Sequence, residues 1–380
     1  MIVRNGNVFC DDGKFYNKDI KTEGEIIKRI DNNMSCEEDE IIDAQDCYVV
    51  PGFVDIHTHG AVGYDFSDGT DEAINKIAGY LLKNGITSFL GTSMTLPEEQ
   101  LVNICKAARQ VISDKSKKQA LLQGVHLEGP FIGFERKGAQ NPAYIIDPDI
   151  NLIKRLDKES GGSIKLVAVA PEIKDGLDFI NEASSLYKIS LAHSSADYKT
   201  ACEAFSLGAD HVTHLFNGMD PFSHREPGII GAAFDSNVFI ELITDGVHIH
   251  PAVVRAVFSI AGEDRVCIIS DSIRACGLSD GEYDLGGQMV TVSGRVATIE
   301  NGSLAGSVTN LADCMRRAVE FGVPLASALK AVTINPARSV GSDDKIGSVT
   351  VGKRADLLIL DMELNLRNVI FGGVIFSCRE

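Results

Sequence analysis

Two histidines close an apolar stretch near the start of the chain. Residues 50–60 read VPGFVDIHTHG, with His57 and His59 at the end of the apolar part. Side chains on a β-strand alternate between faces, so these two imidazoles point to the same side if the strand reaches them. Two imidazoles on one face at a strand end are typical of metal ligands. The pattern therefore predicts a metal site, in preference to two polar residues that merely end a strand.

Residues of the same chemical kind follow four later apolar stretches. They are Glu128 after 121–127, His193 after 189–192, His214 within 211–215 and Asp271 after 266–270. Taken singly, His193 or His214 would be better interpreted as a core histidine with satisfied hydrogen bonds. Six such residues at equivalent positions instead predict one metal centre, to which each strand end contributes.

The residue types indicate which chemistry such a centre would carry out. Glu128 can bridge two metals, with His193 and His214 completing one site and His57 and His59, with Asp271 as a further candidate, completing the other. A bound divalent metal lowers the pKa of water from about 15.7 to about 7. Asp271 can take the proton of that water and return it to a leaving nitrogen. We therefore predict metal-assisted hydrolysis of an amide-like bond.

The segments between residues 51 and 344 alternate between strand and helix patterns. Strands are predicted at 53–56, 88–91, 121–127, 165–170, 189–192, 211–215, 238–244 and 266–270, and helices at 71–84, 98–113, 149–160, 177–187, 198–207, 228–235 and 251–261. Eight such units indicate an α/β fold, a (β/α)8 TIM-type barrel. The alternative, a doubly wound sheet, would need a G-x-G-x-x-G turn after an early strand, and none is present.

Both ends of the chain have a different character. Short apolar pieces separated by turn signals, such as the Asn5-Gly6 pair, fill residues 1–50 and 345–380. They predict a small β-sandwich module formed by both termini, with the barrel spanning 51–344. The acidic run 37–40 is interpreted as a solvated loop. A β-like insertion is expected at 281–299, followed by a helix at 311–321.

Composition excludes several classes of partner. The formal net charge is −17 and no basic stripe offsets it, which argues against nucleic acid and anionic membranes. No apolar run is long enough to span a bilayer, and the N-terminus has a strand pattern and no signal peptide. The nine cysteines are scattered without a C-x-x-C pair, as expected in a reducing compartment. We therefore expect a cytoplasmic enzyme.

The arrangement of these residues resembles the amidohydrolase superfamily, and within it the deacetylases that act on amino-sugar phosphates. The fourth strand ends in VAPE without the lysine that many members carbamylate, so Glu128 takes the bridging place. The motifs that carry the resemblance are PGFVDIHTHG (51–60), HLEGPF (126–131), HLFNGM (214–219), REPG (225–228), TDGVH (244–248), LAGS (304–307) and GKRADL (352–357).

The resemblance implies a substrate and its binding residues. The expected reaction converts N-acetylglucosamine 6-phosphate to glucosamine 6-phosphate and acetate in amino-sugar catabolism, with one or two zinc or iron ions in a homodimer. The position of His248 on the active rim independently favours contact with the substrate. Arg225 would pair with the phosphate. By analogy, the substrate-binding residues are Ala139, Gln140, Asn217, Gly218, Arg225, His248, Leu304, Ala305 and Gly306.

Three alternatives to this reaction remain, and the chain departs from many relatives at two positions, Gln140 and Gly218, where those relatives have histidine and alanine. The substrate could be the galacto epimer or a cyclic amide, and a catalytically silent barrel would be an assembly or binding protein. The six filled ligand positions argue against a silent barrel. Gln140 stands where many relatives have histidine, and an amide can donate a hydrogen bond but cannot titrate.

Overall fold

The computed structural model describes residues 1–32, 34, 40–114 and 116–376. Its centre is a barrel of eight parallel strands in which each strand pairs with the next along the chain. The first and last strands meet through the N–H of Asp271, which donates to the carbonyl of His57 at 2.9 Å. The eight strands are Phe53–Thr58, Ile86–Ser93, Leu121–Leu127, Ile164–Val169, Lys188–Leu191, His211–Val212, Phe239–Ile243 and Val266–Ile269. The (β/α)8 prediction is confirmed.

Helices surround the barrel at the expected places, and two more, Leu325–Val332 and Ile334–Ser339, were not predicted. The helices are Asp71–Lys83, Glu98–Ser113, Ile150–Ser160, Gly176–Ala183, Tyr198–Ser206, Gly228–Asp235, Pro251–Ala261, Leu311–Glu320, Leu325–Val332 and Ile334–Ser339, with short 3-10 turns at Phe66–Asp68, Phe134–Arg136 and Pro142–Tyr144. Side-chain caps fix several starts; the side chains of Thr70 and Asp197, for example, each accept an N–H of the first helical turn. The helix predicted at 177–187 is shorter than expected, ending at Ala183.

Strands from both ends of the chain form one hydrogen-bonded sheet. These strands are Ile2–Phe9, Phe15–Glu23, Ile26–Asp31, Ile41–Asp43, Tyr48–Pro51, Leu357–Leu360, Leu366–Phe371 and Val374–Phe376. Tyr48–Pro51 pairs antiparallel with Leu357–Leu360 and so joins the two ends. Leu357 and Ile359 pack in the sheet's own core, whereas Leu358 and Leu360 pack into the barrel's core. Alternation along one strand thereby attaches this terminal sheet to the barrel.

One local expectation for the terminal sheet was wrong, and one of its strands was not predicted. Asn5-Gly6 was interpreted as a turn, but Asn5 lies within one strand as a bulge with φ of 58°. Its N–H donates to the Asp19 carboxylate at 3.1 Å, which satisfies the group that the bulge removes from the ladder. Phe15–Glu23 was not predicted, because its sequence FYNKDIKTE is largely polar. The predicted acidic loop at 37–40 lies almost wholly outside the described residues.

The predicted β-like insertion is a three-stranded antiparallel unit beside the carboxyl ends of the barrel strands. Its strands are Gly281–Leu285, Gln288–Ser293 and Val296–Ile299. The Gln288 amide donates to the carbonyl of Ala139, and the Arg295 guanidinium donates to the carbonyl of Asp245 at 2.7 Å. These bonds fix the unit over the active rim. In the described part of the chain, every helix is too short or too polar to cross a membrane.

Candidate active site

The six ligand-type residues predicted from sequence meet at the carboxyl end of the barrel. His57 Nε2 lies 3.3 Å from His59 Nε2, and His193 Nε2 lies 3.2 Å from His214 Nε2. Glu128 connects the two pairs, because its Oε1 is 2.8 Å from His214 Nε2 and its Oε2 is 3.2 Å from His59 Nε2. Asp271 Oδ1 lies 3.2 Å from His59 Nε2 and 3.5 Å from His57 Nε2. The strands thus bring together residues that are far apart in sequence.

Each of the four imidazoles directs Nε2 inward while its Nδ1 is held from behind. The Nδ1 atoms of His59, His193 and His214 face the carbonyls of Thr92, Arg136 and Asn217 at 3.2, 2.8 and 3.1 Å. His57 Nδ1 instead faces a carboxylate, Glu241 Oε2, at 3.0 Å. A donated Nδ1–H leaves the lone pair on Nε2, the tautomer that binds a metal. The donor set therefore fits a divalent metal.

Two three-residue groups share Glu128 and could each hold an ion. They are His57 with His59 and Glu128, and Glu128 with His193 and His214, all buried. A third buried group of possible ligands contains His57, His126 and Glu241. Mixed imidazole and carboxylate donors suit zinc and iron alike. The first two groups correspond to the two sites predicted from the sequence.

Gln140 has a contact that the sequence did not predict. Its Nε2 donates to Glu128 Oε2 at 2.7 Å, and its Oε1 accepts the N–H of Thr95 at 2.7 Å. Gln140 also lines the cavity above the ligands. The amide therefore orients the Glu128 carboxylate, which both groups of possible ligands share, from within the predicted substrate region.

Three candidate residues have a strained backbone. His193, His214 and Asp271 have φ angles of 45°, 30° and 46°, in the left-handed region that residues other than glycine rarely occupy. Such a conformation costs of order 1–3 kcal/mol per residue and clusters at functional sites. Each lies just after a barrel strand, where the turn directs the side chain across the barrel mouth.

The charged groups of the cluster strongly shift one another's pKa values. Burial lowers the pKa of His57 and His59, but the Glu128 and Asp271 carboxylates outweigh burial and raise both, that of His59 to about 10. Burial raises the pKa of Glu128, and the surrounding histidines, His57 foremost, bring it well below its ordinary value. The site thus retains ionised carboxylates and binds protons that a metal ion would displace.

A cavity of about 330 Å³ opens above the ligands. Nearly all of the predicted substrate-binding residues line it: Ala139, Gln140, Asn217, Gly218, His248, Leu304 and Gly306. Ala305 lies between two of them but is buried, and its N–H donates to the carbonyl of Ala297 at 3.0 Å. Met94, Phe216, Ile273 and Leu285 add apolar lining that the sequence reasoning missed.

Arg225 lies outside this cavity in the single chain. Its side chain is exposed, and its Nη1 is 2.6 Å from Nε2 of His224. His248 does line the cavity, and its Nδ1 lies 2.9 Å from the Asp245 carboxylate. Burial lowers the pKa of His248, but Asp245 outweighs burial and raises it. The raised pKa favours the charged form of His248 at the cavity wall.

Two further carboxylates support the ligands. Glu241, in the strand Phe239–Ile243, holds His57. Glu172 accepts from the Ser194 hydroxyl at 2.5 Å and from the Ser195 N–H at 2.6 Å, which fixes the loop after His193. The sequence signal that could have identified Glu241 is a charged residue inside the apolar stretch 238–244. For Glu172 the only such signal is its position after the fourth strand.

Fold and donor set together define a barrel hydrolase of the metal-dependent type, and the chain belongs to the amidohydrolase family, whose model matches residues 48–375. The chain is 36% identical to N-acetylglucosamine-6-phosphate deacetylase of Bacillus subtilis (strain 168), over 100% of this chain and 95% of that protein. It is 34% identical to N-acetylgalactosamine-6-phosphate deacetylase of Escherichia coli O157:H7, over 86% and 87%.

A solved structure extends the comparison to a bound sugar phosphate. It is a mutant N-acetyl-D-glucosamine-6-phosphate deacetylase from Mycobacterium smegmatis, in complex with N-acetyl-D-glucosamine-6-phosphate. The TM-score is 0.91 at 30% identity, over 99% of this chain and 98% of that one. Terminal sheet and barrel are therefore both included in the similarity.

Proposed function

We propose that this chain hydrolyses N-acetylglucosamine 6-phosphate to glucosamine 6-phosphate and acetate. The observation that carries the proposal is the position of Asp271 beside the His57–His59 pair and Glu128, at the floor of a cavity lined by both polar and apolar groups. The relatives named for this reaction at 36% and 30% identity support the substrate assignment.

Each residue of the site has its own role in the proposed reaction. A divalent metal at the histidines and Glu128 would lower the pKa of water to about 7 and so supply a hydroxide-like nucleophile near neutral pH. Asp271 accepts the proton of the attacking water and delivers it to the amide nitrogen. The C–O bond forms first, and the C–N bond breaks once the nitrogen has received the proton, so acetate leaves and the amine remains on the sugar. Gln140 keeps Glu128 oriented throughout.

Two cationic side chains are assigned to the phosphate. His248 lies on the cavity wall with its positive charge favoured by Asp245. Arg225 follows the loop that begins with the lining residues Asn217 and Gly218. A local cation is needed because the chain carries a net charge of −17 and would otherwise repel an anionic substrate.

We further propose a cytoplasmic homodimer containing zinc or iron. An apolar groove beside the Arg225 loop, lined by Phe222 and Ile260 with about half of each side chain exposed, supports self-association. Sedimentation of the purified protein, cell fractionation and elemental analysis test the three assignments. A monomer would remove the support that this groove gives.

Acetate release from a panel of sugars tests the reaction. The panel contains N-acetylglucosamine 6-phosphate, its galacto epimer, both sugars without phosphate, and a cyclic amide. We expect the highest kcat/KM for the phosphorylated gluco sugar, loss of activity after chelation and recovery on adding a divalent metal. A preference for the galacto epimer would favour the second relative's reaction, and full activity in metal-free protein would contradict the mechanism.

Single substitutions test the phosphate assignment. His248→Ala and Arg225→Ala should each lower kcat/KM for the phosphorylated sugar at least about tenfold, since a charge-assisted hydrogen bond contributes about 1.5–3 kcal/mol. Any activity on the unphosphorylated sugar is the control and should change little. Equal losses on both substrates would assign the residue to loop structure instead.

A further inference from the structure

Glu241 is a charged residue inside the barrel that has no place in the mechanism above. Side chains alternate along its strand, so Phe239, Glu241 and Ile243 share the inner face, and Phe239 and Ile243 pack in the barrel's inner core. Glu241 is fully buried and does not line the cavity. A carboxylate in such surroundings is costly, so its partners matter.

The side-chain hydrogen bonds of Glu241 to the described residues lead to predicted ligands. Its Oε2 accepts from His57 Nδ1 at 3.0 Å and lies 3.4 Å from the backbone N–H of His214. Its Oε1 has no hydrogen-bond partner within the described chain. The buried ring of His126 stands edge-on to His57 at 4.7 Å between ring centroids, and its two nitrogens are likewise unpaired there. His57 is thus the side chain that hydrogen-bonds to Glu241.

Glu241 makes His57 different from the other three candidate ligand histidines. Those three have Nδ1 against backbone carbonyls, whereas His57 has it against a carboxylate. A carboxylate behind an imidazole fixes the Nδ1–H tautomer, holds the ring orientation and makes Nε2 a stronger donor to a metal. Glu241 therefore strengthens metal binding by only one of the two groups that share Glu128, the group containing His57 and His59.

We propose that Glu241 is the positioning residue that enables the His57–His59 side of the centre to bind its metal ion, and so determines whether the chain holds one ion or two. The inference rests on the metal centre of the proposed function and not on the identity of the substrate. Glu241 acts through His57, at a distance from the substrate cavity.

A purely structural role for Glu241 makes a different prediction. Removing one partner of a buried pair is destabilising, so Glu241→Leu is expected to lower the stability of the fold whichever role is correct. Glu241→Leu leaves an apolar side chain on an inner face that Phe239 and Ile243 already make apolar. A purely structural role predicts that the substitution affects the two ions alike, whereas the role in metal binding predicts that only the ion on the His57–His59 side is weakened.

Zinc binding to metal-free protein separates the two roles. We expect wild type to bind two Zn2+ per chain, and Glu241→Leu to weaken one of them at least about tenfold, the low end for groups behind a ligand, while the other is unchanged. The unchanged ion is the internal control. Glu241→Gln keeps an oxygen that accepts the Nδ1–H and should lose less. His57→Ala combined with Glu241→Leu should weaken the second ion no more than His57→Ala alone.

Several results would overturn the assignment. They are two zinc ions bound by Glu241→Leu with wild-type affinity, equal weakening of both ions, or a single zinc in wild type that the substitution leaves unaffected. If Glu241→Leu does not fold, Glu241→Gln must still weaken the second ion selectively, or the proposal fails. Acetate release by wild type is measured separately, so a failed deacetylase assay contradicts the proposed function while the zinc counts still decide the role of Glu241.

Discussion

Asp271 combines the properties that a proton carrier in the active site requires. Its Oδ1 lies within 3.5 Å of the Nε2 atoms of both His57 and His59, and its carbonyl accepts the N–H of Ser307 at 2.7 Å. Burial raises its pKa, but the positive charge of His57 and His59 outweighs burial and lowers it. The metal-free protein therefore favours the ionised carboxylate, the form that can accept a proton.

Asp271→Asn should lower kcat by at least about 10²-fold, the low end for general acid–base catalysis, because the amide keeps the shape but cannot accept the proton. Steady-state kinetics with the best substrate of the panel measures this. Metal content determined on the same sample is the control and should stay at the wild-type value. Wild-type turnover with metal bound would mean that another group is the base.

A glycine, Gly306, allows the loop that packs beside the end of the eighth strand to approach Asp271 closely. Gly306 has φ of +61°, and a Cβ there would lie 2.8 Å from the carbonyl oxygen of Asp271 and 2.6 Å from Ile273 Cγ2. The next residue, Ser307, donates from its hydroxyl to the carbonyl of Ser270 at 2.6 Å. The turn at Gly306 is thus hydrogen-bonded to the segment that carries Asp271, the proposed base.

Gly306→Ala should therefore reduce kcat about 10- to 100-fold, since displacement of a catalytic group by about 1 Å can cost 10²-fold. Gly302→Ala is the matched control: its φ is also positive, at +84°, but an added Cβ would meet nothing within 4 Å. Kinetics of both variants, with thermal unfolding alongside, provide the measurement. Equal effects of the two substitutions would show that backbone strain matters and contact with Asp271 does not.

At the scale of the whole molecule, Asp356 connects the terminal sheet to the barrel. Its carbonyl accepts the N–H of Gly52, which precedes the first barrel strand, at 2.9 Å. Its carboxylate accepts from the N–H of Gly372 at 2.7 Å and from Arg354 Nε at 2.9 Å. Burial nevertheless raises its pKa to about 6, against an ordinary value of 3.8.

This shift predicts a pH dependence with a definite sign. Between about pH 4 and 6 the folded state keeps the Asp356 proton that the unfolded chain has released, so this group's contribution to the free energy of unfolding falls as the pH rises. Asp356→Asn removes the titration. The unfolding temperature of the variant minus that of wild type should therefore increase from pH 4 to pH 6, measured on metal-free samples of both. A constant difference would contradict the raised pKa.

The barrel was largely predictable because its signals are local. Parallel strands buried on both faces appear as short apolar runs, and amphipathic helices with capping residues separate them. The terminal sheet was less predictable. Phe15–Glu23 has a polar sequence and is a strand because Ile2–Phe9 and Ile26–Asp31 pair with it on either side. The Asn5 bulge likewise depends on Asp19, which is remote in sequence.

The sequence by itself determined the fold class and the identities of the ligand-type residues, because each stands at the end of an apolar run and the barrel rule brings such ends to one rim. Only the tertiary structure decided what lies behind those residues. Glu241 behind His57, Gln140 behind Glu128 and the turn at Gly306 behind Asp271 come from other strands and loops. Contacts between residues so far apart depend on the register and closure of the barrel, which no local pattern encodes.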